Sequence, residues 1–305
     1  MEKSENVYKH TREILAKYSR NLRHVCLIAL CLFACAAHAQ RVLILTTTES
    51  PGFVPWLTGI RDAYQAAGAT SIDYRYGVLN RTTPAPTSLF ADKDVVVIAA
   101  AGNGAINAVQ YNVLANVMKN RPNPNGMTFV FYLDPCCGQT YISDMVSPLN
   151  GVTGWGLGSI HINSSDTLPL NTASPYQSFF SDPALATIPA SAYSVLTNVP
   201  ANNIIYNDSA TPTPGKAHTI FIPRREANHG NGACVLFSGD MNMMAPGSPR
   251  SVALARAAMD LNASTHCKDT NTGNYAVPTL QGWGLGLLAV GMGALAWRRQ
   301  RRRVA

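Results

Sequence analysis

Short apolar runs alternate with amphipathic segments over the first half of the chain, and this order predicts strands separated by helices. Residues 54–67 carry apolar side chains three or four positions apart, which indicates an amphipathic helix, and a second helix is expected over 105–119. Four runs rich in β-branched and aromatic residues predict strands: 41–46, 71–76, 94–100 and 127–133. This order favours a mostly parallel sheet with crossover helices.

The middle of the chain has no long periodic pattern. Residues 134–209 are rich in Gly, Ser, Asn, Pro and Thr, which are the residues of turns and loops. We therefore expect elaborated loops over this stretch, with one or two short helices around residues 183–196.

Regular patterns return towards the end of the domain. Two strands are predicted over residues 218–222 and 233–238, joined by a turn at 228–232. A last helix is expected to begin at Pro249, because proline suits the first helical position, and to end near residue 261.

The N-terminus has the order of parts of an export signal. A basic stretch is followed by an apolar run over residues 25–37, which closes on the Ala-His-Ala of residues 37–39. This small-x-small pattern predicts a signal peptide over residues 1–39 and Gln40 as the mature N-terminus. An uncleaved anchor and a lipoprotein signal remain as alternatives. The run is short for an anchor, and bulky Phe33 stands where a lipobox needs a small residue.

An uncharged run over residues 280–297 predicts a transmembrane helix near the C-terminus. As a helix it would reach roughly 27 Å, close to the thickness of a hydrocarbon core. Trp283 and Trp297 lie near its two ends, and the arginines that follow favour a cytoplasmic tail. A polar linker over residues 266–276 joins this segment to the α/β domain of residues 40–265. The arginines are Arg298, Arg299, Arg301, Arg302 and Arg303.

The formal net charge of +7 comes entirely from the two ends of the chain. Residues 1–39 carry a net +3, the last eight residues carry +5, and the body between them carries −1. A neutral body lacks the basic surface that nucleic-acid binding needs, so that class of partner is excluded.

The C-terminal segment resembles the IPTL-CTERM sorting domain, a relative of PEP-CTERM tails. The resemblance rests on Val277-Pro278-Thr279-Leu280, then Trp283, an apolar helix and terminal arginines over residues 277–305. Val277 replaces the commoner isoleucine. The resemblance implies export across the inner membrane of a Gram-negative bacterium by way of signal peptidase, and transient anchoring in that membrane. It further implies cleavage by an exosortase-type protease and release to the cell surface or extracellular matrix.

The order of elements, together with residues 232–240, resembles a flavodoxin-like domain of the class I glutamine amidotransferase-like kind. This resemblance implies a three-layer α/β sandwich. That family places a catalytic cysteine between a strand and a helix, and the corresponding residues 99–105 contain neither cysteine nor serine. Amidotransferase chemistry is therefore not implied for this chain.

Of the seven cysteines, three lie in the predicted signal peptide. Cys136, Cys137, Cys234 and Cys267 remain, and export favours disulfides between them. Four cysteines allow three pairings, and we expect one of the adjacent pair to bond Cys234.

No metal or cofactor is expected from the sequence. Histidines outside the signal peptide are scattered, without the spacing of a metal site. They are His161, His218, His229 and His266.

Acidic residues follow several of the predicted strands. Glu49 follows the first strand, Asp134 the fourth and Asp240 the last, and ligand sites of open α/β sheets lie at such strand ends. Acids in these positions also commonly cap turns and helices.

Two functions follow as hypotheses. In the first, the domain is a non-catalytic binding or interaction module on an exported, surface-sorted protein. In the second, it is a hydrolase-like enzyme that uses Glu49, Asp134, His229 and Asp240. The missing nucleophile between strand and helix favours the first.

Overall fold

The computed structural model describes residues 40–48, 51–102, 106–135 and 140–268. The predicted signal peptide, the linker beyond residue 268, the sorting tail with its 280–297 helix, Glu49, Cys136 and Cys137 lie outside these residues. No helix within the described ranges is long and apolar enough to cross a membrane.

Strands and helices are numbered here in chain order. The strands are β1 (Arg41–Thr46), β2 (Ser71–Arg75), β3 (Val95–Ala100), β4 (Thr128–Leu133), β5 (Gly158–Pro169), β6 (Thr187–Thr197), β7 (Ile204–Asn207), β8 (Lys216–Ile222) and β9 (Cys234–Ser238). The helices are α1 (Val54–Ala66), α2 (Ala108–Asn120), α3 (Tyr141–Thr153) and α4 (Pro249–Ala263).

A single mixed sheet runs through the domain in the order β2-β1-β3-β4-β9-β8-β6-β5, with β7 also paired to β8. The first five strands in this order are parallel, and the remaining pairs are antiparallel. The expected parallel sheet is therefore one half of the molecule, and an antiparallel extension that the sequence pattern did not predict forms the other half.

The parallel strands are buried on both faces, which explains their continuous apolar sequences. Along β1, Val42 and Ile44 join one core cluster while Leu43 and Leu45 join the other. The first cluster includes apolar residues of α1 and α4, and the second includes those of α2 and α3. The result is a three-layer sandwich with two helices on each face of the sheet.

The expectation of loops over residues 134–209 is wrong. This stretch contains α3 and the long antiparallel pair β5–β6. Within the predicted short helices of residues 183–196, Pro183–Leu185 does form a short 3₁₀ helix, but the residues from 187 onwards belong to strand β6. β5 is an edge strand whose side chains are mostly exposed, so it carries polar residues instead of an apolar run. Pro148 inside α3 weakens the helical pattern there.

The disulfide joins Cys234 to Cys267, with 5.5 Å between their Cα atoms. The expected bond from Cys234 to Cys136 or Cys137 is therefore not the one that forms. Cys234 opens β9, and α4 returns along the sheet so that Cys267, just beyond its end, reaches the same edge. β4 is parallel to β9 and its first residue, Thr128, pairs with Cys234. The C-terminal end of β4, at Leu133, is therefore a strand length away from Cys234.

Replacing Cys234 and Cys267 together by alanine should lower the free energy of unfolding by about 3–4 kcal/mol, the loop-closure value for 33 residues. Urea unfolding of the oxidised protein would measure the change, with the Cys136→Ala, Cys137→Ala double variant as the matched control. Peptide mapping without reduction should recover a Cys234–Cys267 peptide. A peptide linking Cys234 to Cys136 or Cys137 would contradict the pairing.

Candidate functional site

Two aspartates lie at the carboxyl edge of the parallel half-sheet. Asp134 follows β4 and Asp240 follows β9, and these strands are parallel neighbours. Both residues are buried, with exposed fractions of 5% and 0%. Their proximity shows in the electrostatics, because the charge of Asp134 contributes to raising the pKa of Asp240.

The Asp240 carboxylate joins the turn after β9 to strand β6. Its Oδ2 accepts the backbone N–H of Ser191 at 2.8 Å and the side-chain Nδ2–H of Asn242 at 2.9 Å. Its Oδ1 accepts the backbone N–H of Asn242 at 2.9 Å. Asn242 also donates from Nδ2 to the Ser191 carbonyl oxygen at 3.2 Å, which completes a closed link between the two segments.

Burial raises the pKa of Asp240 to about 6, and the nearby Asp134 carboxylate adds to this rise. The hydrogen bonds from Asn242 and Ser191 act in the opposite direction and offset part of the burial effect. The carboxylate therefore changes its charge near neutral pH while its neighbours hold it in place.

An open groove of about 530 Å³ lies beside this link. Trp56 contributes from the first turn of α1, which begins at the same carboxyl edge, and the other walls come from the β5–β6 pair and the turn after β9. Its lining residues are Trp56, Ser165, Asp166, Thr167, Pro189, Ala190, Ser191 and Asn242. Asp240 is buried, and its hydrogen bonds hold two of the lining residues, Ser191 and Asn242, in place.

Asp166 supplies an exposed carboxylate to the groove. Its Oδ2 accepts hydrogen bonds from the Ser164 hydroxyl at 2.6 Å and the Tyr193 hydroxyl at 2.9 Å. These bonds lower the pKa of Asp166, with the Ser164 contribution the largest. Burial, assisted by the bond to Asp166, raises the pKa of Tyr193 to about 12. The pair is therefore an ionised acceptor and a protonated donor at neutral pH.

His229 lies at the other edge of the sheet. It belongs to the short turn Asn228–Gly230 that precedes β9, and it has a left-handed backbone with φ 53°. Asp240 follows β9, so the length of that strand separates the two residues. His229 lines a different cavity, of about 360 Å³, with Trp155 and Glu226. The structure thus brings Asp134 and Asp240 together and leaves His229 apart.

Sequence reasoning missed most of the groove residues because those of β5 and β6 lie in the stretch expected to be loops. A signal was present in β5, where Ile160 and Ile162 alternate with polar residues. This alternation is typical of a strand with one face in solvent. Nothing in the sequence indicated that Trp56 or Asn242 would meet that strand.

The described ranges contain no group of three or more His, Cys, Asp or Glu side chains able to hold a metal ion. The groove itself offers hydroxyls, an amide, one carboxylate and one aromatic ring. These groups suit recognition of a small polar molecule by hydrogen bonds and surface contact.

Comparison with known protein families identifies the C-terminal segment. Residues 275–302 match the model of the IPTL-CTERM motif. The chain carries an IPTL-CTERM motif. This match confirms the resemblance drawn from Val277-Pro278-Thr279-Leu280 and the arginines that follow, and it indicates an exported, sorted protein.

Several solved structures match the chain at low sequence identity and low TM-score. A ThuA-like protein of Parabacteroides merdae matches with 11% identity and a TM-score of 0.43, covering 76% of this chain and 92% of its own. A ThuA-like protein of Bacteroides uniformis has 11% identity and a TM-score of 0.39, covering 74% and 92%. The glutaminase domain of Trypanosoma brucei CTPS has 9% identity and a TM-score of 0.43, covering 73% and 94%. No curated protein matches the sequence. These likenesses are too distant to assign an activity.

Gly239 should tolerate no side chain, because β6 and β8 approach its backbone closely. Its N–H donates to the His218 carbonyl oxygen at 2.9 Å, and its carbonyl oxygen accepts the Ser194 N–H at 2.8 Å. A Cβ here would collide with the Ser194 carbonyl oxygen. We expect Gly239→Ala to lower the free energy of unfolding by about 3 kcal/mol. Gly52→Ala, whose Cβ meets open space, is the control; equal stability of the two variants would contradict this packing.

Asp240 should make stability fall as pH rises from about 4 to about 6. In that window the folded state keeps a proton that the unfolded state has lost, and the raised pKa corresponds to about 2–3 kcal/mol. Asp240→Asn should remove this component from the pH dependence of the unfolding free energy. It should also lose hydrogen bonds above about pH 6, because an amide cannot accept all three bonds that the ionised carboxylate accepts.

Urea unfolding at several pH values would measure this effect, with the surface variant Asp62→Asn as the control for loss of a carboxylate. If the unfolding free energy of the wild type and of Asp240→Asn changed equally with pH between about 4 and 6, the raised pKa of Asp240 would be contradicted.

Proposed function

We propose that this chain is an exported bacterial protein that is sorted to the cell surface through its C-terminal segment. The observation that carries this proposal is the IPTL-CTERM motif at residues 275–302. In this scheme signal peptidase removes residues 1–39, and the 280–297 helix anchors the chain in the inner membrane. An exosortase-type protease then releases the domain to the cell surface or extracellular matrix.

The disulfide supports an extracytoplasmic location for the domain. Disulfides persist in oxidising compartments and are rare where thiols are kept reduced. Cys234 and Cys267 are both buried, and they join the central sheet to the end of α4. Cys267 lies just beyond the end of α4, so the bond ties the end of this helix to the first residue of β9.

We infer that the domain itself is a non-catalytic binding module. The groove at the carboxyl edge is open, and the strand-to-helix junction after β3 carries no nucleophilic side chain. His218 is fully buried, its Nδ1 pairs with the Thr219 hydroxyl at 2.9 Å, and burial lowers its pKa to about 3. It therefore stays neutral and out of reach of a substrate. The groove at the strand ends is open and lined mainly by uncharged polar groups, which favours recognition over reaction.

A hydrolase-like activity is the second candidate. It is favoured by the pair of buried carboxylates at the strand ends, where burial raises the pKa of Asp240 to about 6. A perturbed acid beside a second carboxylate is a frequent feature of acid–base sites. Against it, Asp240 has no solvent contact, and protein N–H groups occupy both of its oxygens.

Changing the positive charge of the C-terminal arginines tests whether the tail sorts the protein. Replacing Arg298, Arg299, Arg301, Arg302 and Arg303 by glutamine should abolish membrane retention and tail processing, because the positive flank that holds the helix in place is lost. Replacement by lysine keeps the charge and is the matched control for anchoring. Immunoblots of membrane, surface and secreted fractions would follow the precursor. Unchanged processing and surface delivery of the glutamine variant would overturn the proposal.

A further inference from the structure

The groove beside Asp240 carries negative charge and no positive charge among its lining residues. Among its lining residues, Asp166 is the only one that carries a charge, and none is cationic. Asp134 and Asp240 lie at the same edge of the sheet, with Asp240 hydrogen-bonded to two lining residues. No positive charge is among the groups that set the pKa of Asp240. The Asp166 carboxylate therefore gives the groove a negative potential.

Hydrogen bonds fix the orientation of the Asp166 carboxylate at the groove. Ser164 and Tyr193 both donate to Oδ2, which fixes the orientation of the side chain. Within the described ranges its Oδ1 accepts no hydrogen bond, and the residue is exposed. An exposed aspartate is ionised at neutral pH, so a negative charge held in a fixed orientation faces the open groove.

Trp56 brings an aromatic ring to the same groove. One part of this side chain packs on the core cluster of α1 and α4, which limits its motion, and the rest remains accessible at the groove. The face of an indole ring attracts cations and also contacts alkyl groups. An aromatic ring combined with a carboxylate is a general solution for binding organic cations.

On the premise that the domain is a binding module, we propose that this groove binds an alkylammonium or guanidinium group. Its charge pairs with Asp166, and its alkyl chain lies against Trp56. Ser165 and Thr167 flank Asp166 along β5 and also line the groove, and the Ser165 hydroxyl is paired with the Ser191 hydroxyl at 2.8 Å. An anionic ligand is disfavoured by Asp166, and a neutral ligand of the same shape forgoes the charge interaction.

Probes of equal length and different charge test this assignment on the purified full chain. n-Butylammonium, n-butanol and n-butyrate share an alkyl chain and differ in charge at one end. Ligand-observed NMR at low ionic strength should show n-butylammonium binding about tenfold more tightly than n-butanol, because ion pairing and the ring contact act together. n-Butyrate should bind more weakly than n-butanol.

Variants locate the effect in the groove. Asp166→Asn should remove the roughly tenfold preference for the cation, and Trp56→Ala should weaken the binding of every probe with an alkyl chain. Asp62→Asn removes a surface carboxylate from α1, and Trp155→Ala removes a ring from the other cavity; both should bind as the wild type does. Circular dichroism and thermal unfolding would verify that the variants are folded.

Two peptides distinguish the source of the cation. Acetyl-Gly-Lys-Gly-amide carries the same ammonium within a polypeptide, and acetyl-Gly-Gln-Gly-amide is its neutral counterpart. Tighter binding of the lysine peptide than of n-butylammonium would indicate a basic side chain of a protein partner. Equal or weaker binding would indicate a free small amine, and both results support the recognition of a cation.

Equal affinity for n-butylammonium and n-butanol would overturn the inference, as would a folded Asp166→Asn variant that keeps the preference. If n-butanol binds equally well in a Trp56-dependent manner, the groove is still a binding site and only its selectivity for cations fails. If no probe binds, the cation assignment fails, and the sorting proposal stands or falls on the separate processing experiment.

Discussion

The buried carboxylate of Asp240 links the two halves of this domain by side-chain hydrogen bonds, beside the β8–β9 pairing that joins them through the backbone. It lies at the junction between the parallel strands that end with β9 and the antiparallel strands that end with β5. Its three hydrogen bonds hold Ser191 of β6 and Asn242 of the following turn in one arrangement. The close approach of Gly239 to Ser194 makes the same junction tight. Burying this charge is costly, and the cost is offset by the hydrogen bonds and by the packing that they allow.

The groove is a consequence of that junction. Asp240 determines where Ser191 and Asn242 lie, and those residues form the wall that meets Trp56 of α1. Asp240 thus positions two groove residues, and its raised pKa follows from its burial. The same view fits an exported domain that presents a preformed surface to its surroundings and is closed near its tail by the Cys234–Cys267 disulfide.

Sequence patterns predicted the parts of the fold whose environment is uniform. β3 is buried on both faces, so its Val95–Ile98 run identified it directly, and Ser248 and Pro249 marked the start of α4. β5 was missed because an edge strand in solvent has the composition of a loop. At the candidate site, the strand-end positions of Asp134 and Asp240 followed from the pattern. The role of Asp166 could not be predicted from the sequence. It depends on β5 of the antiparallel extension lying beside Trp56 of α1, and no local sequence pattern indicates that contact.

The pKa of Asp240, measured by NMR on the carboxyl carbon, is the most direct test of this account. A midpoint near 6 is predicted, with the amide resonance of Ser191 moving at the same midpoint because its N–H donates to that carboxylate. A midpoint near the ordinary value of about 4, with a Ser191 amide that does not respond, would contradict the claim that this buried group holds the two halves of the domain together.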